Sequence, residues 1–195
     1  MNRVTFINSH IGSKFSELIH QLNQNELFSV QTTHSLYTHP DDLDWLFSTH
    51  HTCKNSAAIY GDIILNNSSI RCKALLDIVY MINFITKPSL ALPRIIDAFS
   101  EPYATQRAVD YYQSRIQRIK EISVKSINKI LLTESSFSKP EFTSAINNMF
   151  NTNVSLNPIE IDSVEFNVKS SLIQSCNNSY ENCLYVCKKN NVLVV

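Results

Sequence analysis

Residues 79–94 read VYMINFITKPSLALPR. The first eight, VYMINFIT, are the most strand-like run in the chain. Their near-continuous apolar character predicts a central parallel strand covered on both faces, because a one-sided strand would alternate with polar residues. Pro88 then opens a helix: its missing N–H is no loss in a first turn, and its φ is already helical. Pro93 inside that helix predicts a kink or a late start.

Working outward, the same alternation continues on both sides. RVTFIN (3–8) reads as a buried first strand, and 14–26 as a helix with Leu18, Ile19 and Leu22 on one stripe. FSVQTT (28–33) alternates like a second strand. The polar segment 34–56 is rich in histidine and holds HPDDLDWLFSTH, with acidic residues where a helix starts. AAIYGDIIL (57–65) is a third strand, and SSIRCKALLDI a helix capped by Ser68 or Ser69. After the Pro88 helix come a long helix over 103–127, the strand KILLTE (129–134) and the helix KPEFTSAINNMF (139–150). Beyond Asn151 the pattern weakens, and CLYVCKKNNVLVV reads as a hairpin turning at KKNN. Strands alternating with helices predict an α/β protein, a three-layer parallel sheet with helices on both faces. A single domain over 1–195 is expected, with 151–195 as a C-terminal extension.

Composition narrows the function. The chain has 195 residues, 44% hydrophobic, with formal net charge zero, which argues against a general electrostatic grip on nucleic acid or an acidic membrane. No apolar run reaches the roughly 20 residues of a membrane span. MNRVTFIN enters a strand directly and lacks a signal-peptide core, so a cytoplasmic location is expected. Five cysteines (Cys53, Cys72, Cys176, Cys183, Cys187), odd in number and unevenly spaced, read as packed free thiols rather than a disulfide framework or a metal site.

Parallel sheets bind ligands at the carboxyl ends of their strands. Two segments fall there. SHIGSKFS (9–16) holds Gly12, one of only two glycines, at the first strand-to-helix turn. Backbone N–H groups at Gly12, the Ser13 hydroxyl and the charge of Lys14 or His10 would suit an anion; a plain tight turn is the alternative. The second segment, FITKPSLALPR, puts Thr86, Lys87 and Ser89 at the same edge, with Arg94 further along the helix. Histidine supplies a third set, since His10, His20, His34, His39, His50 and His51 all lie in the first 51 residues. A histidine near neutral pKa suits a general base, and His34, after the second strand, is preferred, with His50 and His51 next. The long helix carries Arg107, Arg115 and Arg118, a set suited to steering or contacting an anionic ligand; a solvated face paired with Asp110 and Glu121 is the favoured reading.

Taken together, HIGSKF, FITKPSLALPR, YYQSRIQRIKEI, ILLTESSF and KPEFTSAINNMF resemble, in that order, the sulfotransferase family that uses 3′-phosphoadenosine-5′-phosphosulfate. The resemblance covers about residues 3–150 and implies a P-loop-like fold. In that family a P-K-S-G-T-T-W type loop cradles the 5′-phosphosulfate, and Gly12, Ser13 and Phe15 match its glycine, first hydroxyl and apolar positions. His10 stands at the loop's basic position and Lys14 at its second hydroxyl. Thr86 and Lys87 replace the arginine and aspartate of a strand-ending R-D-P, while Arg94 takes the place of a serine eight residues on. The resemblance implies that His10, Gly12, Ser13 and Lys14 hold the 5′-phosphosulfate, with Lys14 stabilising charge on the bridging oxygen. It further implies that Arg94, with Lys87 or Ser89, holds the 3′-phosphate, that His34 is the base, and that the acceptor is a hydroxyl of a sugar or small metabolite. No metal is implied. The alternative is a binding or interaction module of the same fold that has lost catalysis. A nucleotide kinase is disfavoured: the first P-loop glycine is absent, and so is an evident magnesium-binding aspartate at a strand end.

Overall fold

The computed structural model describes residues 4–8, 10, 13, 21, 24, 28–32, 56–60, 80–99, 102–150, 153–160 and 168–195. The protein is α/β. Its strands are β1 (Val4–Asn8), β2 (Phe28–Thr32), β3 (Ser56–Tyr60), β4 (Tyr80–Ile85), β5 (Ile130–Thr133) and β6 (Leu193–Val194). They form one sheet in the order β2-β3-β1-β4-β5-β6, and every pairing is parallel. The chain runs from β1 to one side of the sheet for β2 and β3, then crosses to the other side for β4, β5 and β6. Adjacent strands β1 and β4 therefore mark the switch point, and their carboxyl ends flank the crevice where such sheets take ligands.

The helices are α1 (Pro88–Phe99), α2 (Ala104–Lys125), α3 (Pro140–Phe150) and α4 (Ser170–Lys189), with a 3₁₀ turn at Glu134–Ser136. VYMINFIT behaves as its composition demands: Phe84 and Ile85 are both fully buried. Successive strand side chains point to opposite faces. Ile85 and Leu131 join Leu92, Ile95, Tyr112, Ile116, Ile119, Cys176 and Cys183 in one core beneath α1, α2 and α4. Phe84, on the other face, stacks on Phe137 at 4.5 Å, and Phe137 meets Phe142 of α3 edge-on at 5.0 Å. Each fully buried aliphatic or aromatic side chain contributes about 1.5–3 kcal/mol, so this pair of strands is the thermodynamic centre of the described fold.

α1 starts at Pro88 despite Pro93, with Leu90 and Ala91 N–H donating to the Lys87 carbonyl at 3.0 Å. Residues 153–160 are stitched to earlier parts of the chain. Asn147 pairs with the Val154 backbone through both side-chain atoms at 2.9 Å. Gln21 does the same for Asn157, at 3.2 and 2.8 Å.

Two expectations are corrected. CLYVCKKNNVLVV is no hairpin. Its first half is the end of α4, whose buried residues Cys176, Tyr180, Cys183 and Cys187 recur at spacings of four, three and four, a helical stripe. The helix closes on Asn191 (φ 58), with Val192 N–H reaching the Cys187 carbonyl at 2.9 Å and Asn191 N–H the Lys188 carbonyl at 3.2 Å. β6 then adds in parallel to β5. Arg115 is the second correction: it is buried on α2, not part of a solvated face, because it falls three residues after Tyr112 and four before Ile119 on the inward stripe.

Candidate functional site

The carboxyl ends of β1 and β4 meet through one buried contact. The Thr86 backbone N–H donates to His10 Nε2 at 2.9 Å. An imidazole nitrogen that accepts carries no proton, so His10 is neutral in this arrangement, which leaves Lys14 as the alternative source of the loop's charge. The Tyr112 hydroxyl of α2 donates to the Thr86 carbonyl at 2.7 Å, and its ring lies edge-on to His10 at 5.4 Å. Burial holds the Tyr112 hydroxyl well above the ordinary tyrosine pKa, with Tyr180, Cys176, Glu134 and Cys183 adding to the effect, so it stays a donor. Both backbone groups of Thr86 are thus satisfied. Its hydroxyl is fully buried and, among the described residues, has no hydrogen-bond partner. Ser13 is also buried, and its N–H closes a turn on the His10 carbonyl at 3.2 Å.

The end of β5 adds a carboxylate that the sequence reading left unassigned. Glu134 Oε2 accepts from the Lys87 backbone N–H at 3.2 Å and from the Tyr180 hydroxyl of α4 at 3.1 Å. Lys87 Nζ lies 3.5 Å from Glu134 Oε1, with the lysine side chain 57% exposed and the glutamate 8%. Burial, then the adjacent Glu134 carboxylate, push the Tyr180 hydroxyl far above its usual range. The one available sequence signal was position: a lone acid directly after a buried strand, at the ligand edge of a parallel sheet.

The remaining predicted residues divide cleanly. Ser89 is exposed in the first turn of α1. Arg94 is half-buried in the next turn, and its Nη1 donates to the Leu90 carbonyl at 2.8 Å. Gly12, Lys14 and His34 lie outside the described residues, as do His39, His50 and His51. On α2, the Arg107 guanidinium lies 5.2 Å over the Phe99 ring.

The thiols of α4 pack into the core. Cys176, Cys183 and Cys187 are free and buried. Burial, then Asp110, pushes Cys176 up to about 11. The hydrogen bond to Cys187, with burial behind it, keeps Cys183 protonated. Among the described residues no group of three or more His, Cys, Asp or Glu is placed to hold a metal ion. Among them, too, no helix is long and apolar enough to cross a membrane.

Chemically, the edge offers a hydroxyl at Thr86 with no partner among the described residues, an exposed ammonium at Lys87, a neutral imidazole at His10 and a buried carboxylate at Glu134. Comparison with known protein families, curated proteins and solved structures finds no match for this chain.

Proposed function

We propose that the crevice between the carboxyl ends of β1 and β4 binds an anionic nucleotide, and that the protein is sulfotransferase-like. On this reading it moves a sulfuryl group from 3′-phosphoadenosine-5′-phosphosulfate to a hydroxyl of a sugar or small metabolite. The observation that carries the proposal is the 2.9 Å bond between Thr86 N–H and His10 Nε2. It joins the two segments singled out as donor-binding at the switch point of a parallel sheet.

The P-loop-like, three-layer arrangement belongs to the same proposal. Support comes from the strand order and from the covering of β4 by α1, α2 and α4 on one face and by Phe137 on the other. The residues present fit the donor in kind. The orphaned Thr86 hydroxyl, the Ser13 hydroxyl and the Lys87 ammonium are hydrogen-bond donors, and Gly12, Lys14, Ser89 and Arg94 would complete the set. The donor itself supplies an activated sulfuryl group. Thr86 and Ser13 would orient it, Lys87 and Arg94 would balance its charge, and His34 would take the acceptor's proton.

The test is calorimetric titration with adenosine 3′,5′-bisphosphate; absence of binding at millimolar ligand overturns the reading. A second reading, a binding module of the same fold without catalysis, is favoured by one observation: His10 is neutral and Lys87 is already paired with Glu134, so neither brings a free positive charge to the crevice. Binding of the bisphosphate without sulfuryl transfer to any hydroxyl acceptor would select it.

A further inference from the structure

We infer that Glu134 is the internal counter-ion that an anionic ligand must draw Lys87 away from, and that it thereby sets the affinity of the crevice. This rests on the reading above, since it concerns the same site.

The two ends of the Lys87–Glu134 contact are held very differently. Glu134 is fixed from two directions, by the Lys87 backbone N–H and by the Tyr180 hydroxyl, and its side chain is almost wholly covered. A carboxylate buried this way stays in place because leaving would strand both donors. The Lys87 ammonium is the opposite case. It reaches out from an exposed stem and touches Glu134 at 3.5 Å, an ion pair of the kind that contributes little in water. It turns toward a phosphate or sulfate group without disturbing the fold, whereas the Glu134 charge stays behind within reach of whatever anion Lys87 then holds.

A fixed like charge beside an anion site lowers affinity and discriminates among ligands by their charge. Thr86, one residue before Lys87, places its orphan hydroxyl at the same strand end. Glu134 is therefore a specificity-determining residue: it keeps Lys87 occupied in the ligand-free state and penalises excess negative charge in the bound one.

The experiment is titration of the full chain, as Glu134→Gln, as Lys87→Gln and as wild type, with adenosine 3′,5′-bisphosphate and separately with inorganic sulfate. Glu134→Gln is expected to bind the bisphosphate about fivefold more tightly than wild type, and Lys87→Gln about tenfold more weakly. Inorganic sulfate, with less charge, is expected to gain less from Glu134→Gln. Equal or weaker bisphosphate binding by Glu134→Gln overturns the counter-ion role while leaving the proposed function intact. Unchanged binding by Lys87→Gln, an exposed substitution that leaves the fold in place, overturns it independently. No bisphosphate binding by any of the three proteins overturns both this inference and the function it rests on.

Discussion

Thr86 and Thr133 are the same residue type at the ends of adjacent parallel strands, both buried, one position apart in register. Their surroundings differ completely. Thr133 N–H donates to the Val195 carbonyl at 2.8 Å and to Ser136 Oγ at 3.1 Å. Its hydroxyl donates to Val195 O at 3.0 Å and accepts from the Ser135 hydroxyl at 2.8 Å, and its carbonyl accepts from Ser136 Oγ. Nothing is left over. Thr86 uses both backbone groups equally well, on His10 and Tyr112, yet its buried hydroxyl has no partner among the described residues. An unpaired buried hydroxyl carries a cost, one that the Ser123 hydroxyl on α2 carries as well. The β5 end closes on itself, while the β4 end keeps one buried hydroxyl that the proposed function assigns to a ligand.

Substitutions break this comparison in a definite order. His10→Ala should have the largest effect on stability, about 3 kcal/mol, because it opens a cavity and strands the Thr86 N–H; denaturant unfolding would measure it. Thr133→Val should cost about 1–3 kcal/mol in the same experiment, since it removes a donor on which Ser135 and Val195 depend. Tyr112→Phe should cost about 1 kcal/mol by orphaning the Thr86 carbonyl. Thr86→Val should be smallest, within about 0.5 kcal/mol of zero or slightly stabilising, since it deletes a group that bonds to nothing. If Thr86→Val is as damaging as Thr133→Val, the contrast between the two junctions is gone.

The core beneath these junctions gives a pH signature. Cys176, raised from 9.0 to about 11, together with Cys183, Tyr112 and Tyr180, keeps its proton in the native state beyond the pH at which the unfolded chain loses it. Groups with raised native pKa contribute stability that is whole below the unfolded pKa and is lost as pH rises. The melting temperature should therefore be level up to about pH 8.5 and fall progressively toward pH 11. Cys176→Ala should flatten the early part of that fall.

Much of the architecture could be read from the chain because apolar periodicity carried it. VYMINFIT had to be a covered strand, and Pro88 had to open the helix after it. What escaped did so for physical reasons. α4 buries cysteine and tyrosine among asparagines and serines, so its stripe is faint on any scale that counts only aliphatic residues. Arg115 sits on an inward stripe whose position its charge disguised. Sequence leaves the charge of the first turn to Lys14 or His10, but which ring nitrogen of His10 accepts, and hence whether the ring is neutral, is decided by Thr86, 76 residues away in sequence. Glu134 gained its meaning only when Lys87 and Tyr180 were brought to it by separate elements. Pairing of strand ends was foreseeable; the hydrogen bonds that give those ends their chemistry were not.

The most direct measurement compares adenosine 3′,5′-bisphosphate binding to wild type, Thr86→Val and Thr133→Val by calorimetry under conditions where all three are folded. The account predicts binding to wild type and Thr133→Val of similar strength, and a loss of about three- to tenfold in Thr86→Val, the worth of one hydrogen bond. Equal binding by all three, or none by any, would contradict it.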